Sequence, residues 1–257
     1  MSGSLSVRME RRGESLVARL TIERAAKLNS LDSATLTALA EAARGLPAEV
    51  RAVVLTGAGG RAFAGGANLD ELAALDPVSA REFITRVHQA CAALRECPAP
   101  VIARVNGFCL GAGLELAAAC DLRIAAANAA FGMPEVRLGI PSVVEAALLP
   151  RLIGAGRARW LVLSGENIDA AQALAWGLVE RVVPAARLDA ALDAVLEALL
   201  AAGDAALRAQ KRLCKLWEEA PLDECVRLSI VEFAAAYAGD EPRAMIGEFL
   251  AARKNKR

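Results

Sequence analysis

Near the start of the chain, apolar and polar positions alternate in two short runs. "LSVRM" and "SLVARLTI" carry an apolar residue at every second place, with "ERRGE" between them. A period of two sends successive side chains to opposite faces, so the pattern predicts a β-hairpin. The period then changes. "ATLTALAEAARGL" repeats its apolar residues at helical spacing, with Asp32 or Ser33 as its cap. "RAVVLTG" and "PVIARVNG" are short apolar runs and read as buried strands. Between them, "GAGGRAFAGGANLDEL" is a Gly-rich loop entering a short helix, and Pro77 opens a longer helix through "VSAREFITRVHQACAALREC". Further on, "LELAAAC" reads as a helix and "DLRIAAA" as a strand.

Strands alternating with helices predict an α/β architecture. Beyond about Pro184 the pattern becomes purely helical. Four segments follow one another, punctuated by Gly203, Pro221 and Pro242. The expected organisation is a core over residues 1–195 and an all-helical region over 196–257. The third segment, "PLDECVRLSIVEFAAAYAG", has more apolar surface than a short bundle needs, which predicts a subunit contact.

Composition narrows the classes. Of the 257 residues, 55% are hydrophobic and 23% charged, the balance of a globular chain rather than a disordered one. Aromatic residues are only 4%, so the core is built from Ala, Leu and Val. Lys and Arg number 30, as do Asp and Glu, which leaves no broad field to attract nucleic acid or an anionic membrane. The basic run "RKNKR", Arg253 to Arg257, reads as a solvated tail; the alternative is a clamp for a phosphate-bearing ligand. The six cysteines form no C-x-x-C pair and no zinc spacing, so no metal site is expected. Their apolar surroundings predict buried free thiols in a reducing, cytoplasmic setting. No apolar signal core and no membrane-spanning window is present.

Two Gly-rich turns invite a nucleotide reading and fail it. "GAGLEL" has Leu116 where the dinucleotide fingerprint needs Gly or Ala, and no phosphate-loop motif occurs. Small residues between a strand and a helix do something else: they present free backbone N–H groups, to which a helix N-terminus adds its dipole. Two convergent N–H groups make an oxyanion hole. Ala67, in "FAGGAN", and Ala112, in "LGAG", are the candidate donors. On spacing alone, ordinary tight turns explain these stretches equally well.

Glu115 stands in the first turn of the following helix, where the dipole favours a carboxylate. Glu135, in "FGMPEVRLG", follows the next strand. A helix of roughly 7 residues carries the chain about 10 Å away. A strand of roughly 6 residues brings it back by about 20 Å. Both carboxylates then reach the same end of the helix. Paired in an apolar pocket, their pKa values separate into one base and one acid. The one histidine, His88, lies inside a long helix, and spacing gives it no partner. It reads as an ordinary helix residue, which disfavours Ser–His–Asp or Cys–His chemistry and leaves proton transfer to carboxylates.

"RAFAGGANLDEL", "VNGFCLGAGLELAAACDLRIAAANAAFGMPEV" and "LGIPSVVEAALLPRLIG", with "KLNSLD" near the start, resemble the enoyl-CoA hydratase/isomerase, or crotonase, family. The resemblance covers nearly the whole chain. It implies a crotonase-like spiral of ββα units with a C-terminal all-helical trimerisation region, giving a homotrimer or homohexamer. It implies acyl-CoA thioester substrates, with CoA arriving as part of the substrate and no separate cofactor. The implied oxyanion donors are Ala67 and Ala112, and the implied catalytic acids are Glu115 and Glu135. Implied CoA contacts are Ala26, Lys27, Leu28, Ala64, Ala67, Asn68 and Leu69, with Phe249 bordering a neighbouring subunit's CoA. A lysine found in some members three residues after that aromatic is Ala252 here, beside Arg253 and Lys254.

Two departures stand out. The family's "GAD" is "GAN" here, with Asn68, and Ser142 stands where hydratases usually carry Gly. Glu145 adds a third carboxylate, read either as a helix-surface residue or as part of the acyl pocket. The expected activity is reversible addition of water across the 2,3 double bond of a trans-2-enoyl-CoA through a thioester enolate. The alternatives are an enoyl-CoA isomerase or another acyl-CoA enzyme of the family, and an inactive RNA- or protein-binding relative.

Overall fold

The structure is a computed structural model describing residues 4–254. The N-terminal alternation becomes a hairpin: β1 (Leu5–Arg12) pairs antiparallel with β2 (Ser15–Ile22), Leu5 opposite Ile22. Along β1 most side chains are exposed, and its four charged residues guard an open sheet edge. Helix α1 (Ser33–Arg44) is capped by Asp32, whose carboxylate accepts the Thr35 N–H at 2.9 Å. There follow β3 (Val50–Gly57), β4 (Ala62–Ala64), α2 (Leu69–Leu72) and α3 (Pro77–Glu96). Pro77 is the first residue of α3, and Asp76 and Ser79 close a reciprocal capping box. Next come β5 (Val101–Val105), β6 (Phe108–Leu110), α4 (Ala112–Ala119), β7 (Leu122–Ala126) and β8 (Ala130–Gly132). Then come α5 (Leu149–Ile153), α6 (Ala155–Ser164), β9 (Asn167–Asp169), α7 (Ala170–Trp176) and β10 (Arg181–Val183). The helices α8 (Leu188–Leu200), α9 (Asp204–Glu219), α10 (Leu222–Ala236) and α11 (Glu241–Lys254) complete the described chain.

The chain divides after Val195 into two compact units. Two sheets organise the first. One runs β1-β2-β3-β5-β7-β10, parallel from β2 onward; the other runs β4-β6-β8-β9, with only β9 antiparallel. Three successive strand pairs, β3/β4, β5/β6 and β7/β8, therefore give one strand to each sheet. Each pair is displaced by one strand from the last, and the chain winds as a ββα spiral. Strand β3 is buried at all but one position, as a strand covered on both faces must be. The core is aliphatic, with Phe63 and Phe131 the largest fully buried side chains.

The short sheet matters most for function. Because β4, β6 and β8 are parallel, their C-terminal ends lie on one edge. The segments that follow them, Gly65–Asn68, Gly111–Ala112 and Met133–Glu135, emerge together. The pattern of residues alone predicts none of these four strands, since three residues show no period.

The second unit consists of helices. The Glu241 carboxylate caps the start of α9, accepting the Ala205 and Ala206 N–H groups at 3.1 and 2.9 Å. Arg212 pairs with Glu232 at 3.0 Å, linking α9 to α10. Along α10, Leu222, Val226, Ile230 and Phe233 are exposed. Of the basic run at the C-terminus, residues 255–257 lie outside the described residues, as do residues 1–3. Among the described residues no helix is long and apolar enough to cross a membrane. All six cysteines are free, and only Cys214 is exposed.

Candidate active site

One cavity of about 640 Å³ gathers the loops at the ends of the short sheet: Ala67, Ala112, Glu115 and Glu135 all line it. Its remaining wall is mostly apolar, with Leu72, Phe83, Ile84 and Val87 among the lining residues. That is the size and character of a small-molecule pocket.

Two backbone amides are available to a ligand there. Ala112 is the first residue of α4, and its N–H finds no acceptor among the described residues. On the facing loop, Leu31 bonds to Gly66 O and to the Asn68 N–H, each at 2.8 Å, which leaves the intervening Ala67 N–H unengaged among the described residues. Two glycines make this approach feasible. Gly111 takes φ +51°, and a Cβ there would fall 2.3 Å from Glu135 Oε1. A Cβ on Gly113 would fall 2.3 Å from the carbonyl oxygen of Ala64, so only glycine lets α4 lie this close to β4.

Every residue of α4 is buried, including Glu115, which is 4% exposed. Its Oε1 accepts the Ala146 N–H at 3.1 Å. Burial pushes the Glu115 carboxyl up to about 8; the Ala146 hydrogen bond acts against this, and the charges of Glu135 and Glu145 add to it. Glu135 sits on the 3-10 turn Pro134–Leu138, and its Oε2 accepts the Ser142 hydroxyl at 2.8 Å. Two carboxyl groups of different surroundings thus face one cavity beside two free amides.

The other expected residues divide. Leu69 is exposed and lines the cavity. Ala26 and Lys27 are exposed on the 3-10 turn Ala25–Lys27, and the Leu28 carbonyl accepts the Gly65 N–H at 2.9 Å, tying this turn to the Ala67 loop. Lys27 reaches Asp70, beside Leu69, at 3.1 Å. Ala64 is fully buried under Gly113 and does not line the cavity. Asn68 is 5% exposed, and its side chain caps α2 by accepting the Glu71 N–H at 3.1 Å; the spacing Asn68–Glu71 was a readable cap signal. Phe249 is exposed on α11 of the second unit.

Two expectations need correction. His88 does have a partner: its Nδ1 lies 2.8 Å from Glu145 Oε1. Glu145 is not a helix-surface residue, for it is 8% exposed on the 3-10 turn Val144–Leu148, and it does not line the cavity either. The two residues meet only because this turn folds against α3, a contact between distant segments that no spacing rule reports.

The chain matches the enoyl-CoA hydratase/isomerase family over residues 12–254. It belongs to that family. A short-chain-enoyl-CoA hydratase of Clostridium acetobutylicum is 33% identical over 252 residues, covering 97% of this chain and 96% of that protein. The crystal structure of an enoyl-CoA hydratase from Bacillus anthracis superposes with a TM-score of 0.89 at 32% identity, covering 99% of this chain and 97% of that one. A Thermobifida fusca protein solved in complex with CoA superposes at 0.83 with 36% identity, covering 92% and 93%. As in the crotonase fold of those neighbours, the spiral of paired strands brings the loops of successive turns to one site.

Proposed function

We propose that this crotonase-family chain is an enoyl-CoA hydratase, adding water reversibly across the 2,3 double bond of a trans-2-enoyl-CoA. One observation carries the reading: two unengaged amides and two carboxyl groups line the same largely apolar cavity. The thioester carbonyl accepts from Ala67 and Ala112. Water sits between Glu115 and Glu135. Glu115 takes a proton from the water as its oxygen bonds to the β carbon. The π electrons move onto the thioester oxygen, and the resulting enolate is held by the two N–H groups, each worth about 3 kcal/mol to the transition state. The enolate then collapses, taking a proton from Glu135 at the α carbon. One proton leaves the pair and one enters it, so the pair's total is unchanged.

The reverse reaction begins with a proton on Glu115, which passes to the departing hydroxyl. A buried carboxyl raised to about 8 suits that step, because it holds its proton at neutral pH; hydration starts from the complementary state of the pair, with Glu115 ionised and the proton on Glu135, and a carboxylate of raised pKa is then the stronger base toward water. The apolar wall receives the acyl chain, the Ala26–Leu28 turn and Leu69 contact CoA, and Phe249 borders the CoA of a neighbouring subunit. The exposed apolar face of α10 joins copies of the chain into a trimer or hexamer, and the buried free thiols suit a cytoplasmic setting. Loss of the conjugated-thioester absorbance of crotonyl-CoA on mixing with enzyme tests the activity. A 3-enoyl-CoA run in parallel separates hydration from double-bond migration: turnover of that isomer alone would reject the reading.

A further inference from the structure

The Ala146 amide that holds Glu115 belongs to the 3-10 turn Val144–Leu148, and Glu145 of that turn is anchored to α3 through His88. We infer that His88 and Glu145 form a positioning pair that fixes this turn, and with it the orientation of the Glu115 carboxyl in the cavity. The inference rests on Glu115 being the group that exchanges a proton with water.

The geometry is specific. Glu145 follows Val144, which holds φ at +39°, an unfavourable backbone for a β-branched residue. Such strain persists where surrounding contacts over-determine it. The buried Glu145 side chain has one oxygen on His88, while its other oxygen, shut off from solvent, finds no hydrogen-bond partner among the described residues. His88 is thus one anchor, and the buried Cys91 thiol, also on α3, is a second hydrogen-bond contact of this carboxyl. The histidine itself is 56% exposed at its side chain, so it costs little to hold there and serves no evident packing role. A buried carboxylate tied to an exposed histidine, one residue from the amide on the catalytic acid, is more than core filling needs.

The pair also sets the charge beside Glu115. From α3, His88 touches Glu145, and the buried Cys91 faces both carboxyls, its thiol pushed up first by burial, then by the charges of Glu145 and Glu115, and also by its hydrogen bond with Glu145. Glu135 faces it across the cavity. On α5, Arg151 is exposed. On α3 itself Arg86 is occupied by Glu82 at 3.5 Å, and from α1 Arg44 donates to Gln89 O. Within this set, the Glu145 charge is the one that a substitution can change while keeping the anchor.

Three variants separate positioning from structure. His88→Ala removes the anchor and leaves the Glu145 charge, so kcat should fall by about tenfold to a hundredfold with KM nearly unchanged. His88→Asn places an amide N–H where Nδ1 stood and should recover most of that loss. Glu145→Gln keeps an acceptor for His88 and removes the charge. In the pH profile of kcat, the limb set by Glu115 should then move to lower pH in Glu145→Gln and to higher pH in His88→Ala. Opposite shifts support the inference; equal shifts, or none, overturn it, as does a loss confined to KM. If the wild type turns over no 2-enoyl-CoA, the proposed function fails by itself. The inference is then read from the pH dependence of Tm, measured against Glu115→Gln in each background: the Glu115 ionisation should still move in opposite directions, and a fixed midpoint overturns the inference.

Discussion

Ser142 donates its hydroxyl to Glu135 Oε2 at 2.8 Å. This places a side chain at the position where hydratases usually carry glycine, and fixes one face of the Glu135 carboxyl. Ser142→Ala leaves that oxygen without its donor. Leaving a buried acceptor without its donor costs about 1–3 kcal/mol. Steady-state kinetics on crotonyl-CoA should show kcat reduced at least about tenfold, with KM little altered, because the bond orients Glu135 rather than the CoA moiety.

The raised titration of Glu115 has a cost in stability with a definite sign. A glutamate carboxyl ordinarily titrates at 4.5, and in the fold this one titrates at about 8. Between these values the folded state keeps a proton that the unfolded chain has released. The stabilisation is full below the lower value and is lost as pH rises through the upper one, at most on the order of 1.4 kcal/mol per pH unit. Thermal melts from pH 5 to 9 should show wild-type Tm falling through this window. Glu115→Gln, which has no charge to bury, should lack that component and be the more stable protein at pH 8.5.

Gly113 is the second residue of α4, where alanine would ordinarily be the better helix former. The close approach to β4 reverses that sign. A Cβ would lie 2.3 Å from Ala64 O and 2.8 Å from Ala64 Cβ, and backbone cannot yield as a flexible side chain can. Overpacking of this kind costs about 1–3 kcal/mol. Gly113→Ala should lower Tm. It should also lower kcat, since α4 carries both the Ala112 amide and Glu115.

Much of the fold was legible in the sequence. The hairpin, α1, α3 and the C-terminal helices each show their period over eight or more residues, and Asp32 and Pro77 mark helix starts by local chemistry. The four-stranded sheet was not legible from the residues, because its strands are three residues long; family resemblance alone implied it. Glu115 and Glu135 could be paired by following the chain out along a helix and back along a strand. The His88–Glu145 contact could not, since it joins segments whose meeting depends on how the turn after Ser142 packs. Asn68 carries a role the sequence reading did not name: its side chain caps α2, as a polar residue just before a short helix can.

Away from the site, Arg123 is 4% exposed and is held by Glu180 at 2.5 Å and by the carbonyls of Leu178 and Cys120. Removing one partner of a fully buried ion pair costs about 3–5 kcal/mol. Glu180 is 41% exposed at its side chain, and Arg123 keeps its carbonyl acceptors, so Glu180→Ala should cost less, about 2 kcal/mol. Urea denaturation should record that loss, while KM for crotonyl-CoA stays unchanged.

The central claim is that Glu115 and Glu135 act together on one water beside the amides of Ala67 and Ala112. Exchange of the α proton reads it most directly. Wild-type enzyme should incorporate deuterium from D₂O at the α carbon during hydration of crotonyl-CoA, and Glu135→Gln should lose both incorporation and turnover by at least about a hundredfold. Undiminished incorporation in Glu135→Gln would contradict the account.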